Sequence, residues 1–252
     1  MSIRIGFMSN TSDSQLRFIQ QMGVTDVVTS LRAEDRGEVW GFEPMLRLRK
    51  KVEDAGLTLS VFEGIPVPDR AKLGLPGRDE DIDNYCESLR NMGRAGIPVV
   101  CYNWMVAFGW LRTSTTTPVR GGAVATTYDH EEMQRGPLTE HGEVGEDLLW
   151  KALGYFLKAV VPVAEGSGVK LAMHPCDPPL SPIRGIGRIM TSPENFQRLI
   201  DLVPSPNNGL TFCQGCFTEM GVDIAATIHD FGKQGKIFFS HFRNLNGTAA
   251  KF

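Results

Sequence analysis

The 252-residue chain is 42% hydrophobic and 22% charged, with a formal net charge of −3. That is the balance of a globular protein, at a length typical of a single α/β barrel. It carries no basic tail suited to nucleic acid or an anionic membrane, because Arg47-Leu48-Arg49-Lys50-Lys51 falls inside a helical pattern and reads as a solvated face. No window reaches the ~18 apolar residues of a membrane span, and the N-terminus lacks the charged-then-apolar profile of a secretion signal.

The predicted elements alternate along the chain. Strand Ile3–Met8 precedes helix Ser12–Met22, strand Asp26–Ser30 precedes helix Glu43–Ala55, and strand Thr58–Glu63 precedes helix Glu80–Gly93. Strand Pro98–Asn103 is followed by residues 105–143, an irregular stretch with Gly121-Gly122 and scattered threonines. A loop of that length leaving a strand's C-terminal end is expected to be a lid or substrate loop on the active face. Helix Glu146–Gly166, strand Val169–His174, helix Pro193–Leu202, strand Gly209–Cys213, helix Asp223–Phe231 and strand Ile237–Arg243 complete the series. Ser12 and Ser192 are the expected N-caps, and Gly23, Gly56 and Gly96 stand where left-handed C′ residues belong.

Short apolar runs separated by amphipathic segments imply parallel strands with helical crossovers. No glycine-rich phosphate loop follows the first strand, which weakens a dinucleotide-binding sheet and favours a (βα)8 TIM barrel. Seven strands are present where a closed barrel needs eight, so the expectation is a single incomplete barrel domain, a fragment with its last βα unit missing.

Chemistry concentrates at the strand ends. His174, Cys213 and His241 lie at or near the C-terminal ends of three successive strands, where they would converge at a barrel mouth as metal ligands. The cysteines, Cys86, Cys101, Cys176, Cys213 and Cys216, are too few and odd in number for a disulfide framework. They fit a reducing cytoplasm. Cys216 completes a CxxC with Cys213 but reads as a bystander, since no second CxxC accompanies it. The prolines of His174-Pro175-Cys176-Asp177-Pro178-Pro179 stiffen a loop that holds the Asp177 carboxylate still. Asn103, Trp110, Arg112, Asp177, Arg243 and Asn244 are candidate contacts for a hydroxyl- or carboxylate-bearing substrate. His130, His141 and His229 read as surface residues. No nucleophile elbow or P-loop is present.

The segments Tyr102-Asn103-Trp104-Met105, Trp110-Leu111-Arg112-Thr113, Tyr128-Asp129, His174 to Pro179, Asn208 to Gly215 and His241-Phe242-Arg243-Asn244 together resemble the mannonate dehydratases, members of the xylose-isomerase-like barrels. The resemblance implies elimination of water from D-mannonate to give 2-keto-3-deoxy-D-gluconate, a step of hexuronate and glucuronate catabolism. It implies Mn²⁺, or another divalent ion such as Fe²⁺, Co²⁺ or Zn²⁺, held by His174, Cys213 and His241. Two departures stand out. Cys176 occupies a position where the family usually has an acid, and family members continue past Phe252 with a segment bearing a fourth ligand and the acid–base groups. The catalytic acid–base residues are therefore expected beyond Phe252, and the chain as given is expected to bind metal weakly and turn over little. Other readings are a sugar isomerase or epimerase on the same barrel, for which Glu63 is the one acidic strand-end ligand, and a degenerate, non-catalytic metal-binding barrel. The expected partner is a small sugar acid, with no nucleic acid or membrane involved and a homo-oligomer possible.

Overall fold

A computed structural model describes residues 3–252. Its strands are β1 (Gly6–Met8), β2 (Asp26–Thr29), β3 (Thr58–Glu63), β4 (Val99–Tyr102), β5 (Ser114–Pro118), β6 (Val124–Thr127), β7 (Lys170–Met173), β8 (Asn208–Cys213) and β9 (Ile237–His241). Its helices are α1 (Asp13–Gln21), α2 (Phe42–Asp54), α3 (Asp69–Leu73), α4 (Arg78–Arg94), α5 (His130–Gln134), α6 (Glu146–Ser167), α7 (Pro193–Leu202), α8 (Gln214–Glu219) and α9 (Ile224–Lys233). Seven strands form one sheet in the order β1-β2-β3-β4-β7-β8-β9, every pair parallel. This is chain order without a switch point, as in a TIM barrel lacking its last unit.

The sheet is curled. Val28, Val61, Val99, Cys101 and Ala172 form a small apolar cluster, against which Phe238 and Phe239 of β9 pack, so side chains of β2, β3, β4 and β7 meet the far end of the sheet. A larger core lies between the sheet's outer face and the helices, where Phe156 of α6 meets Tyr85 of α4, Tyr102 and Trp104. Inner and outer layers of this kind are what parallel strands buried on both faces require.

Local signals are realised as expected at several helix ends. The Ser12 and Ser192 hydroxyls accept from the backbone N–H groups of Gln15 and Asn195, and Gly23, Gly56 and Gly96 all have positive φ. The first strand is shorter than expected: Ile3 and Ile5 are 94% and 68% exposed, and only Gly6–Met8 pair with β2. Residues 105–143 are less irregular than their sequence indicates. β5 and β6 form an antiparallel hairpin, with Thr117 and Thr127 hydroxyls 2.8 Å apart, and α5 follows, capped by Asp129. The β-branched threonines favour strand, but both hairpin strands are largely exposed, so no apolar alternation marks them. Among the described residues no helix is long and apolar enough to cross a membrane.

Candidate functional site

The parallel register sets the site. Cys213 and His241 are paired positions at the ends of β8 and β9. His174 directly follows β7, and its N–H still donates to the Tyr102 carbonyl of β4 at 2.7 Å. Three strands thus deliver three donor side chains to one level. His174 Nε2 lies 3.1 Å from His241 Nδ1, and one donor atom each of His174, Cys213 and Cys216 lie within 4.8 Å of one another. Cys216 therefore belongs to the cluster's immediate surroundings, closer to the chemistry than a bystander.

Protonation follows from the partners. A carbonyl oxygen can only accept, so His174 Nδ1, 2.7 Å from the Pro175 carbonyl, carries the proton and Nε2 carries the lone pair. His241 Nε2 lies 3.2 Å from Glu63 Oε2, and Nδ1 faces His174. Burial opposes a charge on His241, but Cys213 and Glu63 raise its pKa to about 9. Glu63 is held below the ordinary carboxylate range: burial works against its charge, and hydrogen bonding and charge from His241 outweigh burial. The Cys216 thiol donates to Cys213 and, with the two imidazoles and against burial, pulls the Cys213 thiol far below its usual range. The same interaction pushes Cys216 up.

These residues fit a divalent ion. Two imidazole nitrogens face one another, and the Cys213 sulfur stands beside the His174 ring. Two imidazole nitrogens on one tetrahedral ion lie about 3.4 Å apart, close to the 3.1 Å seen here. Thiolate and neutral imidazole are the donor forms that metal binding demands.

A second cluster sits beside the first. Asp177, fully buried, accepts from Arg112 Nη1 at 2.6 Å and Nη2 at 3.1 Å, and from Arg243 Nη1 at 2.6 Å. Burial alone would raise its pKa; the Arg112 hydrogen bonds and the Arg243 charge hold it low. Arg243 also donates to Glu219 of α8. Burial and the neighbouring Asp177 raise Glu219 to about 8, so it is mostly uncharged at neutral pH. Gly215 makes room for this arrangement, since a Cβ there would clash with the Arg243 guanidinium. The fully buried Arg188 donates to the Asp177 carbonyl at 3.2 Å and ties the same loop from below.

The other candidates are spread around the mouth. Trp110, 51% exposed, sets its ring edge-on to His174 at 5.6 Å. Asn103 Oδ1 accepts from the Met105 N–H, and Asn244 Oδ1 from the adjacent Leu245 N–H, so both are engaged locally. His229 is exposed, but His130 and His141 are half-buried. His130 Nδ1 lies 2.9 Å from the Tyr128 hydroxyl, and His141 sits near Asp69. The Asp69 contact of His141 comes from a distant segment, which its sequence context does not reveal, whereas the Tyr128 partner of His130 is only two residues away. Glu219 and Arg188 carried no sequence signal beyond Glu219 falling six residues after Cys213 on the helix that Cys213 opens.

The family model described as "D-mannonate dehydratase (UxuA)" matches residues 1–141 and 134–252. A mannonate dehydratase from Thermotoga maritima is 40% identical over 91% of this chain and 72% of its own length. The crystal structure of a mannonate dehydratase from Streptococcus suis serotype 2 superposes with a TM-score of 0.91 at 36% identity, covering 99% of this chain and 74% of that one. A 3-keto-D-glucoside 4-epimerase from E. coli, at 13% identity and a TM-score of 0.62, covering 95% of this chain and 78% of its own, shares the fold alone.

Proposed function

Because the chain belongs to the mannonate dehydratase family of hydro-lyases, we propose that it dehydrates D-mannonate to 2-keto-3-deoxy-D-gluconate at the cluster of His174, Cys213 and His241. The observation that carries this reading is the delivery of two imidazoles and a thiolate to one level by β7, β8 and β9. His174 Nε2, Cys213 Sγ and His241 Nδ1 would hold the divalent ion. Manganese is the choice that family resemblance favours, whereas a thiolate ligand alone would favour zinc or iron. Bound there, such an ion supplies Lewis acidity against negative charge developing on the substrate as the C2 proton leaves.

The chain's own groups provide the setting. Arg112 and Arg243 bring two fixed positive charges, Asp177 one firmly ionised carboxylate, and Glu219 is mostly neutral at pH 7. The surplus positive charge favours an anionic sugar acid over a neutral sugar. Asp177 is engaged on both oxygens and aims the two guanidinium planes; Arg112 also donates to Thr126 and the Leu111 carbonyl and Arg243 to Glu219, so the pair would meet a substrate chiefly through charge. Trp110 sets the edge of a half-exposed ring against His174.

The discriminating experiment offers D-mannonate to Mn²⁺-supplemented protein and follows both 2-keto acid and epimerised sugar acid. Keto acid is the expected product, formed at low turnover. Epimerisation without keto acid would support the sugar isomerase or epimerase alternative and overturn the dehydratase reading.

A further inference from the structure

Glu63 closes β3, and His241 closes β9, four places away in the sheet order and 178 residues away in sequence. Curling of the sheet brings Glu63 Oε2 to 3.2 Å from His241 Nε2. Both side chains are largely buried, 16% and 19% exposed. The imidazole is therefore gripped on two sides, by a carboxylate at Nε2 and by the donor cluster at Nδ1.

We infer that Glu63 is the positioning residue of the metal centre: it holds the Nε2 proton of His241, fixes the ring's orientation, and leaves Nδ1 as the atom that meets a divalent cation. An ionised carboxylate accepts and cannot donate. A His241 ring with its proton on Nδ1 would set a lone pair against Glu63 and turn an N–H toward the cation, and both contacts are repulsive. Only the Nε2–H form satisfies the two neighbours together. Histidine ligands commonly owe their tautomer and orientation to such an outer carboxylate.

The carboxylate is itself held. Cys101 of β4 is the position paired with Glu63 in the sheet, and the Thr211 hydroxyl of β8 donates to Cys101 Sγ at 3.2 Å. Glu63 thus serves the cation through His241 and need not touch it. A simple acidic ligand, the role an isomerase would give it, does not require this arrangement.

The inference rests on the metal-centre reading, and the test separates the two. Zn²⁺ and Mn²⁺ affinities are measured by calorimetric titration for the wild type, Glu63→Gln, Glu63→Ala and His174→Ala. Thermal melts check that each variant folds. Glu63→Ala is expected to weaken both ions by roughly 10- to 100-fold. Glu63→Gln, which keeps a carbonyl oxygen as acceptor, should lose less, and His174→Ala should lose more than either. In ¹⁵N-histidine spectra of the Zn²⁺ form, wild-type His241 should show a protected Nε2–H, and Glu63→Ala should lose that protection. Wild-type affinity and an unchanged His241 spectrum in both Glu63 variants would overturn the inference. So would a Glu63→Gln variant as metal-deficient as His174→Ala, which would make Glu63 a ligand. Undiminished affinity in His174→Ala would remove the metal-centre reading, and this inference with it, whatever the Glu63 variants did.

Discussion

Truncating His174 to alanine is expected to strip the divalent ion from the purified protein and abolish keto-acid formation from D-mannonate. His174 contributes the one lone pair in the cluster whose direction is fixed by a backbone contact, Nδ1–H to the Pro175 carbonyl. Alanine removes that donor and also the proton acceptor opposite His241 Nδ1. The loss of affinity should exceed the roughly 100-fold that removing an outer partner costs. Elemental analysis of wild type and variant prepared side by side provides the check. Equal metal content in the two proteins would mean that the ion, if any, sits elsewhere.

The second large effect concerns Asp177. Asp177→Ala leaves Arg112 and Arg243 without the carboxylate that both grip, in a place where Asp177 itself has no exposure. Removing one partner from a buried ion pair costs about 3–5 kcal/mol, because the remaining charges lose their compensation. Chemical denaturation should show a fall of that order, and Asp177→Asn, which keeps the shape and one acceptor oxygen, should fall less. The pH dependence has a definite sign. The folded-state pKa of Asp177 lies below its ordinary value, so its stabilisation is complete above the unfolded-state value of about 3.9 and is lost as the pH falls through the lower, folded-state value. Wild type should therefore lose stability more steeply than Asp177→Asn on acidification below about pH 4. Parallel acid profiles would contradict the assignment of Asp177 as the clasp.

Much of this molecule is legible in one dimension, and the reasons differ by element. The strands β2, β3, β4, β7 and β8 are short apolar runs buried almost throughout, so composition and flanking turn residues identify them. His174, Cys213 and His241 could be linked because parallel strands of one barrel end at a common level, which turns three separate positions into neighbours. The hairpin of β5 and β6 lay hidden because exposed threonine strands carry no buried face to alternate. The role of Glu63 depends on the closeness of β3 to β9, a consequence of sheet curvature that no local pattern encodes. Likewise the partners of Asp177 come from 65 and 66 residues away. The sequence marks Asp177, Arg112 and Arg243 as substrate contacts, whereas the structure has them holding one another. Glu219 needed α8 to be short and to start at Cys213 before its carboxyl could reach Arg243.

The proposed metal centre depends most directly on the Cys213 sulfur. Titrating metal-free protein with Co²⁺ and following thiolate-to-cobalt charge-transfer absorption reports sulfur ligation and stoichiometry together. The arrangement of His174, Cys213 and His241 predicts an absorption that saturates at one equivalent in the wild type and disappears in Cys213→Ser, while Cys101→Ser retains it. Saturation without that absorption, or an absorption that survives Cys213→Ser unchanged, would contradict a metal centre built on these three residues.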